Sequence, residues 1–413
     1  NNDLSKSSES ITVDESIAED ILATQADTAV VVGTVSDYLT AKGNAKLYNI
    51  NLPAGVYLQA QLTTPANADL DYDLYLLDAE GNILTGSDYY TYINGTAGTL
   101  PEALGYITSG DTATYYLYVL ASEGGSVSES FTLDYSVSTA CDSYEIDESV
   151  RQALAFTYGA GGAYIESRNL SSPIDNDWYV ITVPSSRIYD KLKISATTAS
   201  TNTCSVEVYQ NVASEGYQMK RVGSGNTISV SSGKYYIRVS NAKTMENFDD
   251  LDIQNYKLSI TPILKATGIV ITDLKGSEGL NKVVNYPGYG AHFRTQGSGT
   301  LTVYGGLTAT DSSTGVTYAV GGEQINGLYY SPAWEANNTS ANAIRRGTGT
   351  TDSSGKFEID ISLPPGIGVY SYYGSTSTHY FDICGVSVSP SDDSSISASE
   401  TIFHLAYTMY HPF

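Results

Sequence analysis

Leu47-Tyr48-Asn49-Ile50-Asn51-Leu52-Pro53 returns later in the chain as Trp178-Tyr179-Val180-Ile181-Thr182-Val183-Pro184. Two further blocks repeat in the same order. Tyr115-Tyr116-Leu117-Tyr118-Val119 matches Tyr235-Tyr236-Ile237-Arg238-Val239, and Phe131-Thr132-Leu133-Asp134-Tyr135-Ser136-Val137 matches Tyr256-Lys257-Leu258-Ser259-Ile260-Thr261-Pro262. Within each block apolar or aromatic residues alternate with polar ones, the period of a half-buried strand. The offsets are 131, 120 and 125 residues. Strand order is therefore kept while the loops change length.

Working outward, Ala29–Val35 reads as a first core strand, and Tyr57–Leu62 follows the turn at Pro53-Ala54-Gly55. Leu74–Asp78 enters the hairpin signal Ala79-Glu80-Gly81-Asn82. Short, evenly spaced strands of this kind build a sandwich or jelly roll. The expected organisation is all-β: an N-terminal extension over residues 1–28, one sandwich over 29–139, a second over 140–263, and an Ig-like β-domain over 264–413. Helical rhythm is weak and confined to Asp14–Ala23 and Ile146–Ala155. The third region opens with Thr267–Asp273, and its Thr351-Asp352-Ser353-Ser354-Gly355-Lys356-Phe357 is a polar turn entering a strand.

The chain has 413 residues, enough for about three domains. Lysine and arginine number 21 against 45 acids, a formal charge of −24. That field repels nucleic-acid backbones and anionic lipid, and it attracts divalent cations. No run of about 18 apolar residues occurs, so no transmembrane segment is expected. No secretory signal is visible, and a start at Asn1-Asn2-Asp3 fits a processed, secreted chain. Tyrosine is abundant, 35 residues against 8 Phe and 2 Trp, which suits strands with one wet face. Of the three cysteines, Cys141 and Cys204 fall in the second repeat and are expected to pair.

These residues resemble the bacterial pre-peptidase C-terminal domain, a family that includes the collagen-binding domains of secreted collagenases. The likeness lies in Tyr48…Leu52-Pro53-Ala54-Gly55, Asp71-Tyr72-Asp73-Leu74-Tyr75-Leu76, Tyr115–Val119 and Phe131-Thr132-Leu133. It continues in Asp175-Asn176-Asp177-Trp178-Tyr179, Gly233–Val239 and Asn255–Leu258, and spans about residues 12–263. The resemblance implies a jelly-roll-like sandwich, secretion, an accessory role beside a peptidase or on a cell surface, and calcium near the N-terminal edge of the domain. Ser205-Val206-Glu207-Val208-Tyr209 stands where the second repeat should carry the Asp-Xaa-Asp-Leu-Tyr motif. The third region resembles Ig-like or transthyretin-like modules.

Two acidic groups are candidate calcium ligands, because calcium takes several oxygen donors. Asp69, Asp71 and Asp73 alternate along a strand and share a face, with Asp78 beyond them. Asp142, Glu145, Asp147 and Glu148 form the second group, with Asp175 and Asp177 as a complement. Tyr89, Tyr90, Tyr372 and Tyr373 stand in tyrosine-rich runs suited to contacts with a sugar, a collagen-like chain or a neighbouring subunit. No His-Glu-Xaa-Xaa-His motif or Gly-Xaa-Ser-Xaa-Gly elbow occurs, so no catalytic residue is assigned. The leading expectation is a secreted, non-enzymatic structural or adhesive β-protein at the cell surface. It would be a subunit of an extracellular assembly or filament, joined to copies of itself by strand addition or bound to a protein or polysaccharide matrix. A substrate-targeting module of a secreted hydrolase is the alternative.

Overall fold

A computed structural model describes residues 11–14, 30–88, 100–139, 141–198, 204–213, 218–224, 226–242, 254–276, 299–337, 339–373 and 377–411. The chain falls into two compact units, one of residues 1–185 and 191–263, the other of residues 186–190 and 264–413. Both repeats lie in the first unit.

The first repeat contributes β1 (Ile11–Asp14), β2 (Val30–Asp37), β3 (Ala45–Leu52), β4 (Tyr57–Thr63), β5 (Asp71–Leu77), β6 (Ile83–Ser87), β7 (Glu102–Ile107), β8 (Ala113–Glu123) and β9 (Phe131–Ser138). The second contributes β10 (Leu154–Ala155), β11 (Ala163–Leu170), β12 (Asn176–Val183), β13 (Tyr189–Thr198), β14 (Cys204–Asn211), β15 (Met219–Ser224), β16 (Thr227–Ser229), β17 (Gly233–Asn241) and β18 (Gln254–Leu264). Sheets ordered β1-β3-β8-β5-β6 and β2-β9-β4-β7 form the first sandwich, and sheets ordered β10-β12-β17-β14-β15 and β11-β18-β13-β16 form the second. The two orders correspond strand for strand. Each sandwich even begins with a short parallel strand, β1 on β3 and β10 on β12, in otherwise antiparallel sheets. The repeat read from three blocks therefore extends to all nine strands.

Alternation explains the first core. Tyr48, Ile50 and Leu52 of β3 face Leu58, Leu62, Leu117, Val119, Phe131 and Leu133 between the sheets. The second repeat departs from this pattern along β12, where seven of eight residues are buried or half-buried. Tyr179, Ile181 and Val183 are buried on one face of β12. Trp178 on the other face packs with Tyr209, Met219 and Tyr236, and with Leu100 of the first repeat. The two sandwiches thus share a packed junction inside one unit. The helix expected over Ile146–Ala155 does not form. The segment instead makes turns that end in β10, and the Asp147 carbonyl accepts from Trp178 N at 3.0 Å. The Asp14–Ala23 expectation lies almost wholly outside the described residues.

The second unit is also a two-sheet sandwich. Its strands are β19 (Gly268–Gly276), β20 (Gly299–Thr310), β21 (Thr317–Ala319), β22 (Gln324–Tyr330), β23 (Ile344–Thr350), β24 (Lys356–Leu363), β25 (Tyr370–Tyr373), β26 (Ser377–Pro390) and β27 (Ala398–Tyr410). Short helices α1 (Pro332–Ala336) and α2 (Ser340–Ala343) interrupt the path between β22 and β23. Strand β20 pairs with β19, β21 and β24, and β26 pairs with β22, β25 and β27. Leu301, Val303, Ile325, Ile359, Ile361, Val386 and Ile402 fill the space between the sheets.

Candidate functional site

The acidic residues of the first group do not converge. Asp73 is buried, and its Oδ2 accepts from Tyr75 Oη at 3.1 Å and from Ser122 Oγ. Asp78 is spent on the hairpin turn: Oδ1 accepts from Asn82 N at 2.7 Å and Glu80 N at 3.1 Å. Five residues of extended strand separate those two carboxyls by about 16 Å. Asp69 lies in the loop before β5, where its backbone N donates to Asn67 Oδ1 at 3.0 Å. Among the described residues, no three carboxylates of this group lie close enough to share an ion. The calcium site expected on Asp69, Asp71, Asp73 and Asp78 is corrected accordingly. Asp71 is nonetheless pushed up to about 7 by burial and by Asp73, Glu123 and Asp88.

The second group does converge, from four parts of the first unit. Turns at 142–148 supply Asp142, Glu145, Asp147 and Glu148, the end of the β11–β12 connection supplies Asp175, and the start of β12 supplies Asp177. Strand β11 supplies Arg168, and β4 of the first repeat supplies Tyr57 and Gln59. A β-bulge between Ile165 and Arg168, with Ser167 at φ 62°, resets the alternation of β11 and turns Arg168 inward. Arg168 has no solvent exposure.

Two overlapping triads of carboxylates result, Glu145–Asp147–Asp177 and Glu145–Glu148–Asp175, with ligand oxygens in each within 4.8 Å of one another. Arg168 lies against the first, where Asp147 Oδ1 and Asp177 Oδ1 still accept no hydrogen bond. Its Nη2 lies 2.5 Å from Asp147 Oδ2 and 3.0 Å from Asp177 Oδ1, and its Nη1 lies 2.6 Å from Asp142 Oδ1. Its Nε donates to Tyr179 Oη at 2.7 Å.

The second triad has only neutral donors. Tyr57 Oη donates to Glu145 Oε2 at 2.8 Å and to Glu148 Oε1, and Gln59 Nε2 donates to Glu148 Oε1 at 2.8 Å. Ser171 donates to Asp175 Oδ2 through both its backbone N and, at 2.8 Å, its Oγ. Glu145 Oε1, Glu148 Oε2 and Asp175 Oδ1 are buried and accept no hydrogen bond. Burying one such oxygen unsatisfied costs about 1–3 kcal/mol, more when it is charged. Burial pushes all three carboxyls up, Asp175 to about 7, and like charge from Glu145 adds to the effect on Glu148 and Asp175.

Room for this cluster is made in the first repeat. A Cβ on Gly105 of β7 would stand 2.3 Å from Glu148 Oε2 and 2.8 Å from Ile146 Cγ2. Glycine inside a strand often marks such a close approach. The donor set is all oxygen, with no imidazole or thiolate, so the site suits a hard cation of the calcium class and not zinc.

Cys141, Cys204 and Cys384 are free thiols, which corrects the expected Cys141–Cys204 bridge. Burial and neighbouring carboxylates raise both thiols, Cys204 to about 12 beside Asp177, and Cys141 beside Glu145 and Asp142. Such groups withhold the thiolate that disulfide exchange requires.

Of the four tyrosines, Tyr89 and Tyr90 lie outside the described residues, while Tyr372 and Tyr373 belong to β25 and Tyr373 is 71% exposed. In the second unit Tyr329 Oη meets His404 Nδ1 at 2.8 Å and Cys384 Sγ at 3.1 Å, while Ser331 Oγ donates to Asp382 Oδ2. All five residues are buried, and burial lowers His404 to about 4. This network is sealed inside the sandwich.

Fold and site together define a protein of tandem β-sandwiches whose junction holds a cluster of buried carboxylates. No family model matches the chain. Over 74 residues it is 36% identical to a Bacillus subtilis (strain 168) protein titled "Uncharacterized protein YlqB"; the match covers 18% of this chain and 46% of that one. The chain thus spans about half the length of that curated relative. Among solved structures, the CBM22-1–CBM22-2 tandem of Paenibacillus barcinonensis Xyn10C is 11% identical, with 56% of this chain and 91% of that one covered, at a TM-score of 0.17. The PBSX exported protein XepA is 10% identical, with 56% and 86% covered, at a TM-score of 0.20. Likenesses at these scores carry no argument about what the chain does. Among the described residues no helix is long and apolar enough to cross a membrane.

Proposed function

We propose that this chain is a secreted, non-enzymatic β-protein, a structural or adhesive subunit of an extracellular assembly. Its two repeated sandwiches are held as one body by a calcium-class ion at their junction. One observation carries the reading: three buried carboxylate oxygens, on Glu145, Glu148 and Asp175, have no hydrogen-bond donor and no cationic side chain bonded to them. Arg168 already bonds Asp147 and Asp177 of the neighbouring triad, so the ion is placed on the side of Glu148 and Asp175.

Glu145, Glu148 and Asp175 hold the ion. Tyr57 and Gln59 bind the same carboxylates from the first repeat, so loading the site stiffens the junction. Calcium sites of extracellular modules work at about 0.1–1 mM, a concentration met outside cells. The −24 charge keeps the chain soluble there and raises local cation concentration.

The test is thermal unfolding of the full chain in a chelator and in 2 mM calcium, on the order of extracellular module affinities. Calcium should raise the melting temperature, while magnesium, which demands tighter octahedral geometry, should do less. Identical melting in chelator and calcium would remove the ion from the account.

A further inference from the structure

The second unit carries a strand ribbon without charged side chains. Residues 366–381 and 401–411 contain no Asp, Glu, Lys or Arg, in a chain of net charge −24. Within these stretches β25, the first part of β26, and most of β27 pair as a three-stranded ribbon. Its outward side chains are large and apolar: Tyr373 is 71% and Tyr410 is 72% exposed, and Tyr370, Tyr407 and Met409 are about half exposed. Tyr380 and Tyr407 stack at 4.4 Å across the β26–β27 pair, which stiffens the ribbon.

Strand β27 is thirteen residues long, and among the described residues it pairs with β26 alone. Long apolar edges are usually blunted by charge, proline or a bulge facing outward. Strand β27 has Glu400 near its start and a bulge at Ala406, while the stretch Tyr407–Tyr410 carries no charge, proline or bulge.

We propose that β27 is a self-association edge, across which two copies of this chain pair antiparallel along Thr401–Tyr410 to give one sheet continuous through a two-fold axis. The charge pattern selects the occupant. Two copies of a −24 chain repel one another over most of their surface, and this uncharged ribbon is where they can meet without burying carboxylates. Pairing also covers Tyr407, Met409 and Tyr410 of both copies, an apolar patch otherwise left in water. This inference rests on the assembly reading above and names its contact; it does not depend on the junction ion.

Light scattering on the full chain, from micromolar to near-millimolar concentration with calcium present, provides the test. Wild type should move from monomer to dimer, at lower concentration as salt rises and screens the like charges. Met409→Glu with Tyr410→Glu, both exposed positions, should weaken self-association at least tenfold and leave the melting temperature unchanged. If wild type assembles and the double variant assembles equally well, this edge is refuted while the assembly reading survives. If wild type stays monomeric throughout, both are overturned, and depletion of the monomer by a neutral polysaccharide would then assign the ribbon to sugar.

Discussion

The two repeats place an ion pair at the same point of the same fold, with the charges exchanged; it is half-buried in the first and fully buried in the second. In the first repeat Asp37, at the end of β2, meets Lys46 of β3, and Tyr48 Oη donates to Asp37 Oδ2 at 3.0 Å. In the second repeat Arg168, at the matching place on β11, meets Asp177 just before Trp178 on β12, and Tyr179 accepts from it. Asp37 pairs across the sheet with Phe131, and Arg168 with Tyr256. In the first repeat the lysine and the aspartate bond directly to each other. The second draws in Asp142 and Asp147 as well and leaves Glu145, Glu148 and Asp175 beside it with no cationic side chain bonded to them. Duplication kept the strands, and the electrostatics diverged: one site sets a lysine against an aspartate, while the other gathers six carboxylates around one arginine and is the site we propose for an ion.

The largest effect should come from breaking the pair in the second repeat. Arg168→Met leaves Asp142, Asp147 and Asp177 buried without their cation, at a cost of about 3–5 kcal/mol. Lys46→Met, at a pair nearly one-fifth exposed, should cost about 1 kcal/mol. Urea unfolding of both variants measures the contrast, and equal losses would erase it. Glu148→Gln comes next. Calcium at about a hundredfold over its dissociation constant stabilises by about 2.7 kcal/mol, which raises melting by about 5–10 °C for a unit of this size. That rise should vanish in Glu148→Gln, whose chelated form should be no less stable than chelated wild type.

A third effect is in pH. The folded-state value of Asp175, about 7 without the ion, lies above the ordinary unfolded value near 3.9. Stability from the protonated group is therefore fully present below about pH 4 and is lost as pH rises through about 7. Chelated protein should lose melting temperature between about pH 4 and 7, and calcium should flatten that slope. Asp71→Asn should have the smallest effect. Asp71 is raised to about 7 in the same direction but lies outside any site, so the substitution should stabilise by about 1 kcal/mol at pH 8, by nothing at pH 4, and without changing the response to calcium.

The strands were legible because alternation survives duplication: Tyr48 and Tyr179, or Val119 and Val239, are read the same way twice. The junction cluster was half legible. Six acids stood out at 142–148 and 175–177, but Arg168, Tyr57, Gln59 and Gly105 did not. Arg168 sits in an ordinary polar run, and its inward aim comes from the bulge at Ser167, which breaks the period that sequence reading relies on. Tyr57 and Gln59 reach the site only through packing of one repeat against the other. Gly105 carried a signal, a glycine inside the apolar strand Ala103-Leu104-Gly105-Tyr106, but not what approaches it. Asp69, Asp71 and Asp73 misled for the opposite reason. Correct alternation puts side chains on one face, but a site also needs ligands arriving from other strands.

Native mass spectrometry of the full chain with calcium, set against Asp175→Asn, tests the junction ion most directly. The account predicts that wild type retains one more calcium than the variant, with the folded charge-state envelope preserved in both. Equal calcium counts in the two proteins would contradict it.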